Sequence, residues 1–379
     1  MAASDPTRPV PWALAGPAVG KTQWTGSVFA WFQAARRDLP WRRDRDAYRV
    51  WISESMLQQT RVEAVIPYFE RFLARFPTVA DLAVAPIEDV LAVWSGLGYY
   101  RRARSLHAAA RAIVEKHAGR FPDSRAELLE LPGVGPYTAG AVASIAFDRP
   151  EPLVDGNVAR VLARLYALDM PQESAAFRAA TWAIAGGLID ALDGRSPGTW
   201  NQALMELGAL VCVPREPRCP QCPLRAHCRA FGESRAHELP IPKARPTAIE
   251  VELHVALVRL DERVLVTQRP AQGRMAGLWE LPTIEPSGER RLADAEWPRG
   301  TDGGAALAVL DEIAACAHSI TRHRIRARVF AARWLGEVHL GGDRRSPMRF
   351  ATPTEIARLG PTGLTSKVLR ATSVRAAVR

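Results

Sequence analysis

Cys212, Cys219, Cys222 and Cys228 stand in the spacing C-x6-C-x2-C-x5-C, and only Cys316 joins them in the whole of the 379 residues. Thiols gathered in one short segment constrain it more than any other feature here, because they pair with one another or bind metal. Pro214, Pro217, Pro220 and Pro223 break regular structure and shape a tight loop able to turn several sulfurs inward. A disulfide pair is the plain alternative. It fits poorly, since the first residues show no secretory pattern and a large intracellular domain seldom needs such staples. Zinc is the rival metal, although structural zinc usually draws on two short Cys or Cys/His pairs and only Cys219/Cys222 makes one. Spacing by itself favours a [4Fe–4S] cluster modestly over zinc.

The length predicts two domains, and a hydrophobic content of 47% is ample for two packed interiors. No run of 18 apolar residues occurs, so no membrane span is expected. The formal charge of +10 suits a polyanionic partner. Only Lys21, Lys116, Lys243 and Lys367 supply amines among 50 basic residues. Arginine forks onto phosphates and keeps its charge, whereas lysine can lose its proton and attack carbon. Coding bias toward arginine accounts for the ratio equally well; in either case amine nucleophiles are scarce.

Residues 1–22 are Pro-, Ala- and Gly-rich without periodicity and read as a flexible tail. Helical spacing runs through residues 23–232, for example over Ser105–Lys116 and Ala175–Leu192. A Pro-rich connector over 233–248 is expected to be extended. The texture then changes across 249–375: Val251–Leu260 and Val264–Gln268 read as a hairpin, Ile325–Trp334 as a strand, and Gly303–Ala315 as a helix. The predicted fold is an all-α domain carrying the cysteine loop (212–228), followed by an α+β domain.

Within the helical part, Ser124-Arg-Ala-Glu127 predicts a capped helix, and Gly133-Val134-Gly135 followed by Pro136 predicts a break and a restart. Two helices joined this way form a helix–hairpin–helix, whose converging backbone N–H groups suit a phosphate. A simple αα-turn is the bland alternative. Upstream, the helix from Ala47 is expected to end near Gln58, with Thr60-Arg-Val-Glu63 as a new capping box. Glu54 lies there among Trp51, Ile52, Met56 and Leu57, where a carboxyl should hold its proton toward neutrality. Asp155, in Val154-Asp-Gly-Asn-Val158, reads first as a helix cap and second as an anion able to steady a cation.

The motifs LPWR, WISESMLQQTRV, WSGLGYYRRAR, LPGVGPYTAG, VDGNVARVLARL and NQALMELGALVC, together with the cysteine spacing, run in order from Leu39 to Cys228. This run resembles the endonuclease III-type helix–hairpin–helix DNA glycosylases, and more narrowly the MutY-type adenine DNA glycosylases. The resemblance implies one [4Fe–4S] cluster on Cys212, Cys219, Cys222 and Cys228. It implies that Glu54 protonates a flipped-out adenine and that Asp155 stabilises the oxocarbenium-like sugar, with Tyr137 and Asn157 supporting the sugar site. Arg42 and Glu206 would line the adenine pocket. Gln59, Leu97 and Tyr99 would wedge into the stack and support the opposing base, while Gly133, Val134 and Gly135 would hold DNA phosphate. Lyase relatives carry a lysine where this chain has Tyr137, and some keep another where it has Ala159. A monofunctional glycosylase leaving an intact abasic site is therefore expected.

The segment Gln268-Arg-Pro270 and Gly273–Pro282 resembles the start of a Nudix-like fold, without the R-E-x-x-E-E cluster that binds magnesium. The resemblance implies recognition of 8-oxoguanine by the loop His318–His323. Many members have Phe-Ser-His there, against Ile320-Thr321-Arg322 here, so Thr321 alone keeps a hydroxyl for the lesion. His318 and His323 read equally well as residues lining a strand edge. The expected partner is duplex DNA containing A:8-oxoG or A:G, met by a monomer with a cytoplasmic, nucleoid-associated location of bacterial type.

Overall fold

A computed structural model describes residues 24–242, 247–270, 275, 277–286, 292, 307–320, 322–335 and 348–376. The N-terminal tail expected over 1–22 and part of the connector lie outside the described residues. Contacts divide the chain into two compact units, Met1–Val84 with Ser105–Ala244, and Ala85–Arg104 with Arg245–Arg379. Residues 85–104 thus group with the C-terminal part, although helical periodicity places them inside the first domain. Among the described residues no helix is long and apolar enough to cross a membrane.

The first unit is helical. It contains α1 (Thr25–Ala35), α2 (Ala47–Leu57), α3 (Val62–Arg75) and α4 (Val79–Val84). α5 (Ile87–Trp94) belongs to the second unit, and α6 (Arg101–His117) follows it. The first unit then continues with α7 (Arg125–Leu129), α8 (Pro136–Ala141), α9 (Gly156–Leu165), α10 (Ala175–Asp190), α11 (Pro197–Leu210) and α12 (Arg229–Gly232). Local chemistry starts several of these. Ser124 Oγ accepts from Glu127 N at 3.3 Å, Asp155 Oδ1 from Val158 N at 2.7 Å, and Ser174 Oγ from Phe177 N at 3.0 Å. Each such cap contributes about 1 kcal/mol. The capping box expected at Thr60 does not form: α3 is capped at Arg61 without a side-chain bond, and the Thr60 hydroxyl turns back to Gln58 O. Aromatic residues fill the interior, with Trp51 edge-on to Phe121 at 5.4 Å and Trp200 packed against Trp24 and Phe29.

Among the described residues, the second unit is built on a seven-stranded mixed sheet. Its strands are β1 (Ile249–Leu260), β2 (Arg263–Gln268), β3 (Trp279–Glu280), β4 (Thr283–Ile284), β5 (Leu307–Ile320), β6 (His323–Trp334) and β7 (Met348–Ala351). The order β3-β2-β1-β6-β5 carries β4 on β1 and β7 on β2; β1 and β6 are parallel and the other pairs antiparallel. Pairing of Leu260 with Arg263 closes the expected hairpin, and Asp261 supplies its left-handed residue at φ 53°. α13 (Pro353–Leu359) and α14 (Gly363–Ala376) complete the unit. Val255, Val266, Ile325, Ala327 and Val329 form a core with Ile356 and Val368 from these helices. Each such aliphatic side chain contributes roughly 1.5–3 kcal/mol by burial.

One expectation fails here. Residues read as a helix over Gly303–Ala315 lie in β5 from Leu307 onward, and 303–306 fall outside the described residues. The run is rich in Leu and Ala, which favour helix in isolation. Pairing along β6 instead buries Ala314 and Cys316 at period two, and this tertiary gain overrides propensity.

Candidate active site

Glu54 lies in the second half of α2, a helix in which Trp51, Ile52 and Met56 are also buried, and it is only 5% exposed. Burial pushes its carboxyl from an ordinary 4.5 up to about 7; Asp155 adds to the rise, while the Tyr137 hydroxyl and Arg42 oppose it. An ionised carboxylate has little water here to solvate it, so the proton is retained. Tyr137, in the first turn of α8, donates a short hydrogen bond from Oη to Glu54 Oε2. Burial and the two neighbouring carboxylates push the Tyr137 phenol far above its usual range, so it stays a donor.

The hairpin that delivers Tyr137 depends on its glycines. Gly133 has φ +76°, and a Cβ there would stand 2.4 Å from the Ser105 Cβ. Gly135 caps α8, with Pro136 at its first position. Val134 is buried beneath the turn, leaving Gly133 exposed at its edge.

Asp155 caps α9 and also faces the site. Its Oδ2 accepts from Asn157 Nδ2 at 2.8 Å, and its Oδ1 takes the Val158 amide. Burial raises its pKa, against the pull of the Val158 and Asn157 bonds and the Arg160 charge. The cap reading of Asp155 is thus observed directly, in the bond from Val158 N. Asn157 is fixed in turn by Arg160, whose Nη2 donates to Asn157 Oδ1 at 2.8 Å. α11 comes so near that a Cβ on Gly208 would lie 2.6 Å from Asn157 Cβ.

Arg42 and Glu206 meet in one ion pair. Arg42 Nη2 lies 2.9 Å from Glu206 Oε2, and Arg37 grips the same carboxylate through Nε at 2.9 Å and Nη2 at 2.7 Å. Burial alone would raise Glu206, but these bonds outweigh it and hold its pKa at about 2. Sequence reasoning named Arg42 and Glu206 and missed Arg37, whose only signal was a second arginine just before the LPWR motif. It also missed Arg160 and Arg164, spaced i,i+4 on α9, a helix with a pronounced apolar face.

The three residues expected to enter the base stack differ in placement. Gln59 is exposed at the end of α2 with φ +61°. Tyr99 is 50% exposed, whereas Leu97 is 7% exposed and packs inward. Gln59 belongs to the first unit, and Leu97 and Tyr99 to the second. Thr321 lies outside the described residues; its neighbour His318 is half-buried at the end of β5.

Cys212, Cys219, Cys222 and Cys228 line one small cavity together with Arg164, Arg225 and Phe231. Arg164, 2% exposed, places Nη1 3.3 Å from Cys212 Sγ and spends its other donors on Val213, Pro214 and Leu239 carbonyls. Burial pushes the Cys222 thiol up to about 12 and raises Cys219 and Cys228, with neighbouring thiolates adding repulsion. Four sulfurs that repel one another as anions around a shared cavity are a donor set that suits a cationic group. Among the described residues no group of three or more His, Cys, Asp or Glu side chains is placed to hold a metal ion.

Comparison with known proteins finds a family match on each side of the connector. Residues 52–184 match the family described as HhH-GPD superfamily base excision DNA repair protein, and residues 254–371 match the NUDIX domain. The chain is 39% identical over 324 residues to the adenine DNA glycosylase of Rattus norvegicus, covering 71% of this chain and 62% of the rat protein. It is 33% identical over 336 residues to the adenine DNA glycosylase of Schizosaccharomyces pombe, covering 73% of this chain and 71% of that protein. A solved thermostable thymine-DNA glycosylase aligns with a TM-score of 0.50 and 29% identity, over 55% of this chain and 95% of that one. The chain spans less than two thirds of the rat, mouse and human relatives, at 62%, 64% and 58% of their lengths.

Proposed function

Because this chain belongs to the adenine DNA glycosylases, within the HhH-GPD base excision repair superfamily, we propose that it hydrolyses the N-glycosidic bond of adenine mispaired with 8-oxoguanine or guanine in duplex DNA. The observation that carries this reading is Glu54: a carboxyl 5% exposed, with a pKa near 7, bonded to Tyr137 and coupled to Asp155. An adenine rotated out of the duplex takes the Glu54 proton, which turns the purine into a neutral leaving group. Positive charge then develops on deoxyribose, and the Asp155 carboxylate opposes it while the Asn157 and Val158 bonds hold that carboxylate in place. Water completes the hydrolysis.

The Tyr137 position bears on the product. A phenol committed to Glu54 cannot form a Schiff base with the abasic sugar, and Ala159 offers no amine either. Strand cleavage is therefore absent from the proposed reaction. Gly133, Val134 and Gly135 hold a DNA phosphate, Gln59 and Tyr99 enter the stack, and Arg42 with Glu206 borders the adenine pocket. The C-terminal domain reads the base opposite adenine through the loop around His318, Thr321 and His323. Cys212, Cys219, Cys222 and Cys228 would hold one [4Fe–4S] cluster, whose role would be to cross-link the loop.

The test is a strand assay on duplexes containing A:8-oxoG or A:G, with and without hot alkali. Nicking only after alkali is the expected result. Nicking without alkali would replace the reading with a glycosylase/lyase, and no base release from either duplex would remove it. Iron and acid-labile sulfide in the purified protein, with visible absorbance, check the cluster independently.

A further inference from the structure

The loop that carries Tyr99 is fastened to the C-terminal unit. Residues 85–104 pack with residues 245–379, and α5 lies against α13. The loop after α5 is sharply bent, with Gly96 at φ 102°, Gly98 at 71° and Tyr99 itself at 48°. Tyr99 is the non-glycine residue among these three, and a conformation of that kind persists only where surroundings impose it. Those surroundings are specific. The buried Trp94 donates from Nε1 to Gly98 O at 3.1 Å. The Arg102 guanidinium lies 5.5 Å from the Trp94 ring and 5.3 Å from the exposed Tyr99 ring. The half-buried Tyr100 accepts from Gly96 N at 3.4 Å and donates to Pro361 O at 3.5 Å, so one hydroxyl links both sides of the bend to the turn before α14.

That turn is held on its other side by the domain's own strands. Trp279 N donates to Gly360 O at 3.2 Å, and Thr362 N donates to Trp279 O at 2.8 Å. A Cβ on Gly360 would lie 3.8 Å from Leu91 of α5, and a Cβ on Gly363 would lie 3.3 Å from the His318 ring. The segments also come close where Arg104 Nη2 lies against Gly277, at 2.5 Å from where a Cβ would stand. The turn 360–363 therefore touches the Tyr99 loop at one end and the end of β5 at the other.

We infer that Tyr100 is a positioning residue, seating the Tyr99 loop on the turn 360–363 so that the base met near His318 governs how Tyr99 enters the stack. This rests on the proposed reading of the C-terminal domain as the reader of the opposing base, and deepens it. Contact at the His318 loop that displaces or rigidifies the turn changes the support under Tyr100, and with it the geometry of the wedge. Loss of the hydroxyl leaves both ends intact and severs the link between them.

The experiment compares iron-loaded wild type with Tyr100→Phe. Single-turnover excision is measured from A:8-oxoG and A:G duplexes, and the fluorescence of 2-aminopurine in place of adenine reports unstacking on binding. Tyr100→Phe should lower the ratio of the two excision rates by about fivefold, the worth of one modest hydrogen bond. Its unstacking signal opposite 8-oxoguanine should fall toward that opposite guanine, with an unchanged melting temperature. An unchanged ratio, or an equal loss on both duplexes, overturns the inference and leaves Tyr100 a purely structural residue. If wild type releases no adenine, the proposed function falls; the fluorescence comparison still decides the coupling, and equal signals in the two proteins refute it.

Discussion

Glu54 and Glu206 are both carboxylates sealed inside the helical unit, at 5% and 0% exposure, yet one is held near pH 7 and the other near 2. Burial raises both. The difference lies in their partners. Glu54 faces a phenol and a second carboxylate, neither of which offers positive charge. Glu206 is clasped by two guanidinium groups, Arg37 in fork geometry and Arg42 through Nη2 alone. Arg42 connects the two regions, since its charge also reaches Glu54. By absorbing Arg42 and Arg37, Glu206 leaves Glu54 free to keep its proton. A pocket can thus hold an acid and a permanent ion pair side by side, each defined by where the arginines are spent.

This contrast can be broken at either end. The largest effect is expected from Glu54→Gln, which retains shape and hydrogen bonding but has no proton to give. Single-turnover adenine release should fall about 10²–10⁴-fold while duplex affinity, read by a gel shift, is kept. Near-normal release by that variant would disqualify Glu54 as the acid. Next, Glu206→Ala strands two arginines, and denaturant unfolding should show a loss of about 3 kcal/mol, the lower end for a broken buried pair because Arg37 is partly exposed. A loss below about 1 kcal/mol would mean the arginines find other partners.

The two acids should also impose opposite pH dependences on stability. Glu54 is raised above its unfolded value, so its neutral form is the one the fold favours. Stability from this site is complete below 4.5 and declines as pH rises through about 7. The decline is about 3 kcal/mol by pH 8, and Glu54→Gln should remove it. Glu206 is depressed, so its contribution is present above 4.5 and is lost as pH falls toward 2. Thermal melts of wild type and Glu54→Gln between pH 5 and 8 test the first case; parallel curves would refute the assignment.

Smaller shifts sharpen the picture. Wild-type excision should decline above pH 7 as Glu54 ionises. Tyr137 bonding lowers the Glu54 pKa, so Tyr137→Phe should move that limb upward. Glu206→Gln frees Arg42 and should move it downward. Displacements of less than about one pH unit are expected, and movement in the same direction for both variants would contradict the division of charge drawn here.

Local chemistry was legible along the chain. The cysteine spacing, the Ser124 and Asp155 caps, the Gly133–Pro136 break and the Asp261 turn each depend on a few neighbouring residues whose backbone preferences or bonding groups act at short range. Glu54 was recognisable as a carboxyl in apolar company for the same reason. What folding in three dimensions decided was everything that rests on distant partners. Gly303–Ala315 looked helical because its propensity is local, whereas the strand state of its described part, from Leu307 onward, comes from β6. Leu97 was expected beside Tyr99 as a wedge, but burial separates them. Arg37 and Glu206 lie 169 positions apart, and no periodicity announces that pair. The proton on Glu54 belongs to both levels: residue type makes it possible, and the exclusion of water together with the capture of Arg42 by Glu206 makes it stay.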